Sequence, residues 1–412
     1  MNTKLHNKFV KISAIIFSCL ILISCSIQEN RLKESGYNTK FDFDQNKSFN
    51  EYIKYSKDII SLVRNDNSVD NEAIINDNSP FLYRRDIERC NKYPKRAILM
   101  IHGLTDSPFI NRELATAFNQ KCFDIYSILL TGHGTQAGDL LSVSYKDWIK
   151  QVDYAMNEIL KENEEVFISG FSTGGALAIN YALEGNNYKN ISGLILLSPA
   201  IDLSNFAFIT PFLKYFKKYL AIYDDDAQFK YESFTTNAAA QIYHLTTKIK
   251  KNIYKNKSKL QNIPIFTAIS YEDTTIDAPN SLDIILDNVN LDNSFTILYH
   301  QNESKINKYR NVKNLKLVNS TILNKKILNI SHLAIPVSKD NYYYGKNGLY
   351  QICTHYYNDK KKYQKCLSSK DNEIFKGEIS SNNMDKFTLR RIGYNPFWDN
   401  MVQDIKEFIL SK

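Results

Sequence analysis

The pentapeptide Gly170-Phe171-Ser172-Thr173-Gly174 constrains this chain more than any other stretch, because it lies between a strand-like run and a helix-like run. Residues 165–169 (EVFIS) have the length and apolar character of a short buried strand, and residues 174–184 (GGALAINYALE) carry Ala and Leu on one helical face. A chain that passes from strand to helix through a serine must turn sharply there and leave the hydroxyl exposed. Flanking glycines let the two elements approach each other. Glycine is scarce, 14 in the whole chain, and three of them (Gly170, Gly174, Gly175) fall in this one turn. In that context the G-x-S-x-G spacing points to a serine nucleophile rather than to a glycine-rich surface turn.

A nucleophilic serine needs donors for the oxyanion that forms when it attacks an acyl carbonyl, and two backbone N–H groups suffice. Upstream, Arg96–Ile101 (RAILMI) reads as a central strand and ends in His102-Gly103-Leu104-Thr105-Asp106-Ser107. The N–H of Leu104 in that turn and the N–H of Thr173, next after the serine, form the natural pair. His102 reads as a brace for the oxyanion loop rather than as the base.

The base and acid follow from the chain order Ser…Asp/Glu…His. Seven histidines are present. His6 lies in a targeting segment, His102 and His133 precede the serine, and His244 precedes any suitable acid strand. His300, His332 and His355 remain. His332 follows the apolar run 326–330 (KILNI), read as the last strand, and is the best placed. His300 closes the strand-like run 295–299 (FTILY) and competes with it, and His355 lies in a Tyr- and Lys-rich tail. For the acid, residues 264–270 (PIFTAIS) read as a strand followed by a loop carrying Glu272, Asp273 and Asp277. A loop acid in that place holds the imidazole tautomer. Asp273 fits best because Ile276, three residues on, can anchor the loop in the core; Asp277 and Glu272 are the alternatives.

These residues together resemble the α/β-hydrolase superfamily, in its branch of carboxylesterases, monoacylglycerol lipases and lysophospholipase-like serine hydrolases. The matching residues are His102-Gly103-Leu104-Thr105, Gly132-His133-Gly134, Gly170 to Gly175, Asp273-Thr274-Thr275-Ile276 and Ser331-His332, spanning about 95–336. The elbow and the triad order are specific to the fold and not to a substrate. The resemblance implies an α/β fold, a mostly parallel central sheet with helices on both faces and a helical cap insertion. It also implies acyl transfer to water on a carboxylic, lipid or acyl ester, with neither cofactor nor metal; the alternatives are an amidase, peptidase or thioesterase of the same fold, or an envelope lipoprotein scaffold without catalysis.

Alternation of strand-like and helix-like runs agrees: 123–130 and 191–198 read as strands and 144–161 as an amphipathic helix. The expected organisation is a signal segment (1–24), a tether and helical extension (25–80, with a helix near 48–64), a hydrolase domain (81–340) and a carboxyl-terminal extension (341–412) ending in a helix packed on the core. The insertion 202–262 holds Phe206, Phe208, Phe212, Tyr215, Phe216, Tyr219, Tyr223 and Tyr231 with lysines between them. Such a cap supplies an apolar wall for an acyl group, and most of these rings are expected to pack the cap onto the core. No nucleic-acid recognition motif accompanies the interleaved lysines, so a lipid or ester substrate is expected rather than nucleic acid.

Lys4, Lys8 and Lys11 precede an apolar stretch, 12–23, that suits a secretory signal and falls short of a comfortable membrane span. Its end, Leu22-Ile23-Ser24-Cys25, resembles a bacterial lipobox, with Cys25 lipidated and the mature protein anchored in the cell envelope. Ser26 in place of the aspartate that retains lipoproteins in the inner membrane favours the outer membrane, facing the periplasm. Setting aside Cys19 and Cys25, four of the six cysteines remain, Cys90, Cys122, Cys353 and Cys366. An exported protein pairs them as two disulfides; four cysteines allow three pairings, of which the local one, Cys90–Cys122 and Cys353–Cys366, is the expectation. Of the net charge of +8, three units belong to the signal lysines, leaving +5 for the mature chain. That modest excess favours anionic lipid surfaces. Oligomeric state is not legible in the sequence.

Overall fold

The computed structural model describes residues 30–37, 41–43, 47–64, 71–203 and 206–411. Residues 1–24, read above as a signal segment, and Cys25 lie outside the described residues.

Eight strands form one sheet: β1 (Phe81–Tyr83), β2 (Arg96–Ile101), β3 (Asp124–Ile128), β4 (Glu165–Phe171), β5 (Ile191–Leu197), β8 (Ile265–Ser270), β9 (Phe295–His300) and β10 (Leu315–Asn319). Their spatial order is β1-β3-β2-β4-β5-β8-β9-β10. Only β1 runs antiparallel to its neighbour, and the other pairings are parallel. Parallel strands need crossover helices, which cover both faces and leave the central strands wholly buried. β2 shows this: Ala97, Leu99 and Ile101 enter one core, while Ile98 and Met100 enter the other. The first core is closed by the helices Tyr145–Leu160, Thr173–Glu184, Thr236–Lys255 and Ala278–Asn288. The second is closed by Arg112–Asn119 and by the last helix, Trp398–Leu410, whose Phe408 ring stands 5.8 Å from that of Phe266.

The sequence-read elements appear with small shifts at their ends. Ser144 caps the helix Tyr145–Leu160, with Asp147 returning a bond to the cap N–H. The extension near 48–64 is the helix Phe49–Val63, capped in the same manner by Ser48 and Glu51. Its Tyr52 hydroxyl donates to Leu129 O (2.9 Å), docking the helix on the end of β3. Residues 326–330, read as the last strand, are not a strand. Lys326 has φ +52°, and Ile327 makes only isolated bridges to Ile322 and Lys376. The last strand is β10, a half-buried edge strand whose alternation is diluted by lysine and asparagine.

The insertion after β5 is a mixed cap rather than a helical one. It opens with the turns Ala207–Ile209 and Thr210–Leu213, then a ribbon of β6 (Tyr219–Ala221) and β7 (Phe234–Thr235). The following helix, Thr236–Lys255, buries eleven residues and packs on the helix Thr173–Glu184, so it works as a core element. The expectation that most cap aromatics pack inward fails. Tyr219 and Tyr231 are buried, whereas Phe206, Phe208, Phe212, Tyr215 and Phe216 are exposed, because two short turns have too narrow an inner face to cover five rings.

Both expected disulfides are present, Cys90–Cys122 and Cys353–Cys366. Between the turn after β10 and the last helix, residues 337–397 form an insertion that includes the parallel pair β11 (Phe375–Gly377) and β12 (Leu389–Arg391). This insertion returns to the carboxyl edge of the sheet, where the site lies.

Candidate active site

Ser172 stands between β4 and the helix Thr173–Glu184 with φ +54° and ψ −114°, a conformation that costs a non-glycine residue ~1–3 kcal/mol. The surroundings enforce it. A Cβ on Gly170 would meet Gly174 O at 2.2 Å, and a Cβ on Gly174 would meet Ile101 O at 2.1 Å. Strand, helix and β2 therefore approach too closely for any side chain at those two positions.

Thr173 is the first residue of that helix, so no preceding turn can satisfy its N–H. Leu104 N–H has no acceptor among the described residues, and the next residue, Thr105, has φ +68°. Both residues line a cavity of about 500 Å³ together with Ser172 and His332. Its apolar side is formed by Leu203, Phe206, Ile209, Leu213, Leu220 and Ile242.

His102 ties the turn after β2 to the chain just beyond β3. Its Nδ1 lies 2.7 Å from Gly103 O, and its Nε2 accepts from Leu130 N–H at 3.0 Å. Full burial and the neighbouring His133 hold its pKa well below the usual value, so it stays neutral. Gly132-His133-Gly134 forms the adjoining wall: both glycines have positive φ, and Gly132 O accepts from the Tyr231 hydroxyl. Tyr231 N–H in turn donates to Thr105 O at 2.8 Å, tying the cap to the oxyanion loop.

Of the three histidines left open, His332 lines the same cavity as Ser172. Its ring lies 5.1 Å from that of Phe171, the residue before Ser172, and its Nδ1 lies 2.5 Å from Asp273 Oδ2. The other carboxylate oxygen of Asp273 accepts from Thr275 N–H (2.8 Å) and Ile276 N–H (3.4 Å), and Ile276 is buried as its spacing suggested. His300 closes β9 within the core, and His355 faces Leu389 O, away from the cavity. Glu272 accepts from Gln301 N–H and Asp277 caps the helix Ala278–Asn288, so both alternative acids have other work.

The 337–397 insertion contributes residues that the sequence reading missed. Glu378, almost fully buried, accepts from His332 N–H (3.0 Å) and pairs with Arg391 (3.0 Å). Arg391 also donates to Thr275 Oγ1 at 2.7 Å, so one ion pair holds both the histidine loop and the acid loop. Burial opposes the charge of Arg391, but Glu378, Asp273 and Asp106 outweigh it and raise its pKa. Nothing in local spacing marks Glu378 or Arg391; their role comes from the fold alone.

A second, ionic end of the cavity is formed by Asp106, Lys230, Glu232 and Arg391. Asp106 is buried, and its carboxylate has no hydrogen-bond partner among the described residues. Burial raises its pKa to about 6 against the pull of Lys230, His332 and Arg391. Burial likewise lowers the pKa of Lys230, whose ammonium forms no ion pair among the described residues.

Fold and site together resemble those of serine hydrolases of the α/β-hydrolase class, lipases and esterases among them. A family model described as serine aminopeptidase, S33, matches residues 92–223. The chain is 25% identical over 200 residues to a thermostable monoacylglycerol lipase from Bacillus sp. (strain H-257), covering 47% of this chain and 76% of that one. Among solved structures it resembles one from a study of LipS and LipT, two metagenome-derived lipolytic enzymes, with 21% identity, a TM-score of 0.45 and coverage of 54% and 86%. It also resembles a soluble variant of monoglyceride lipase from Saccharomyces cerevisiae, with 16% identity, a TM-score of 0.44 and coverage of 56% and 88%.

Proposed function

We propose that the protein hydrolyses carboxylic esters of lipid or acyl type through an acyl-serine intermediate. The observation that carries this reading is the Asp273–His332 pair opening on the same cavity as a strained Ser172. His332 takes the proton of Ser172 as its Oγ attacks the ester carbonyl, and Asp273 steadies the imidazolium. The Leu104 and Thr173 N–H groups hold the oxyanion. Collapse expels the alcohol with a proton from His332. Water, deprotonated by the same imidazole, then releases the acid and restores the serine.

The cavity suits such a substrate. Its apolar side accommodates an acyl chain, and the ionic end near His332 suits a leaving alcohol with further polar groups. The likeness to a monoacylglycerol lipase supports an ester over a peptide. We further propose that the chain is exported and lipidated at Cys25, and that it faces the periplasm from the outer membrane. The lipobox-like Leu22-Ile23-Ser24-Cys25 and the two disulfides support this.

The test is hydrolysis of p-nitrophenyl esters of rising acyl length by the wild type, Ser172→Ala and His332→Ala. Either substitution is expected to lower kcat on the order of 10⁴-fold or more. Undiminished activity in Ser172→Ala, or no labelling of the wild type by a fluorophosphonate, overturns the proposal.

A further inference from the structure

The two strands of the 337–397 insertion set two cations side by side. In the parallel pair of β11 and β12, Lys376 lies opposite Arg390. Both are buried, at 1% and 4% exposure, and like charges facing each other across a strand pair oppose the pairing. One carboxylate serves the two, for Asp371 pairs with Lys376 at 2.9 Å. Arg390 forms no ion pair among the described residues. Its Nε and Nη2 donate instead to Cys366 O (3.2 Å) and Ser369 O (2.6 Å), at the end of the helix Lys360–Ser368. A helix end supplies only about half a unit of negative charge, and Nη1 makes no hydrogen bond among the described residues. Burial pushes the Arg390 pKa down, and the pull of Asp371 and Tyr394 does not restore it.

Consecutive strand residues face opposite ways, and this separates Arg390 from its neighbour. Arg391 turns to the catalytic cavity and to the Glu378 carboxylate. Arg390 lines a second, open pocket of about 690 Å³ that shares no lining residue with the first. Lys325, Lys346 and Lys370 also line it, all exposed and with no ion pair among the described residues. The acid in its wall, Asp371, is already engaged by Lys376. Cations therefore outweigh anions in the pocket, which favours a negatively charged ligand. Asn347, Gln351 and Asn372 add side-chain amides that suit hydroxyl groups. The volume falls within the ~300–1,000 Å³ of small-molecule sites, so the ligand is larger than a bare ion.

We propose that this pocket binds a phosphorylated polyol, with its phosphates on Arg390 and the three lysines and its hydroxyls on the amides. The bound phosphate supplies the second counter-charge that the Lys376–Arg390 pair requires. Arg390 offers Nη1 from a fixed position, and the flexible lysines complete the cradle as point charges. The site goes beyond the ester-hydrolase reading and uses none of its residues. A soluble polyol phosphate and a phosphorylated lipid headgroup share this chemistry.

The test titrates the full chain calorimetrically with inositol 1,4-bisphosphate, and with myo-inositol as the uncharged control. The bisphosphate is expected to bind with a Kd of about 0.1 mM or tighter at about 0.15 M salt, and myo-inositol not to bind. Lys325→Gln, Lys346→Gln and Lys370→Gln together alter only exposed side chains and should weaken binding about tenfold or more. Arg390→Lys keeps the charge, loses the fork and should also weaken it about tenfold. If Arg390→Lys does not fold, the lysine variant decides. Removing as much charge from the cap, by Lys214→Gln, Lys217→Gln and Lys218→Gln, should leave the affinity within about twofold. No binding of the bisphosphate, equal binding of myo-inositol, or equal losses from the two sets of lysines overturns the proposal. Vesicles of phosphatidylcholine, with and without phosphatidylinositol 4-phosphate, present the same headgroup on a lipid. Tighter binding to the phosphoinositide vesicles than to the soluble bisphosphate identifies a lipid headgroup as the ligand. Equal or weaker binding identifies a soluble one, and either result supports the site. Hydrolysis of p-nitrophenyl acetate by the lysine variants reports separately on the ester-hydrolase reading and should stay within about twofold of wild type.

Discussion

On the amino-terminal side of the cleft, backbone does the placing: Ser172 is held at φ +54° by contacts that leave no room for a Cβ, and the proposed oxyanion donors are main-chain N–H groups. On the carboxyl-terminal side, side chains do it: Asp273 orients His332, and the Glu378–Arg391 pair ties down the loops that carry them. The first arrangement depends on neighbours in sequence and tolerates no change of shape. The second reaches across more than a hundred residues and depends on charge. Perturbing each side should therefore fail in a different way.

The largest effect belongs to the backbone side. Gly174→Ala sets a Cβ about 2.1 Å from Ile101 O, a main-chain atom in a fully buried strand that cannot move aside. We expect a loss of roughly 4 kcal/mol or more, read by denaturant titration, or no soluble protein at all. A stable, active Gly174→Ala protein would show that the elbow is looser than its geometry requires.

Glu378→Ala probes the other side. It removes the acceptor for His332 N–H and leaves the Arg391 guanidinium without its main counter-charge. Truncating one partner of a buried pair costs roughly 3–5 kcal/mol; the partial exposure of Arg391 places this case toward the lower figure. Misplacing the histidine by about 1 Å adds a loss on the order of 10²-fold in kcat. Glu378→Gln keeps a side-chain oxygen for His332 N–H and should recover much of kcat. Equal rates for the two variants would remove Glu378 from the placement of His332.

The same contrast explains what was legible in the sequence. The elbow, the oxyanion turn and the acid loop each occupy a few consecutive residues beside a strongly apolar strand, so periodicity and spacing located them. The choice of His332 rested partly on a strand that the structure does not contain. The run 326–330 looked like the last strand because Ile327, Leu328 and Ile330 are apolar and buried, yet they are buried in a loop. The true last strand, β10, lies on the sheet edge with a weak pattern. Glu378 and Arg391 left no trace, since their pairing exists only once β11 and β12 lie side by side. The cap rings misled for a related reason: composition identifies aromatic residues and not the width of the face available to bury them.

The disulfides offer a milder way to separate the two sides. Cys90–Cys122 closes a loop of 32 residues ahead of β3, and Cys353–Cys366 closes one of 13 residues within the insertion that delivers Arg391. Loop closure assigns them about 4 and about 3 kcal/mol. Arg390 Nε donates to Cys366 O at 3.2 Å, so the second bridge steadies the strand that carries Arg391. Replacing Cys90 and Cys122 by alanine should lower Tm while folded molecules keep kcat within twofold. The same change at Cys353 and Cys366 should lower Tm less and reduce kcat severalfold. If kcat responds alike in both, the insertion does not brace the histidine.

The smallest effect concerns Asp106, which belongs to the oxyanion turn in sequence and to the ionic end of the cavity in space. Burial raises its pKa to about 6 from an ordinary 3.8, so the folded chain holds a proton there that the unfolded chain has released between those values. Stability then falls as pH rises through that window, in the opposite sense to a salt-bridged carboxylate. The two-unit shift corresponds to about 1–3 kcal/mol once Lys230 and solvent in the cavity are allowed for. Asp106→Asn removes the titration. Relative to wild type, the variant should therefore gain stability between pH 4 and pH 7, measured as the difference in denaturation midpoints at each pH. The pull of Lys230 acts only on the ionised carboxylate and is already contained in the shift, so its loss in the variant leaves the direction of that trend unchanged. A pH-independent difference would mean that Asp106 is already ionised at pH 4, with Lys230 and Arg391 acting on it more strongly than burial. The ionic end of the cavity would then be a compensated cluster with no carboxylate free for the leaving alcohol.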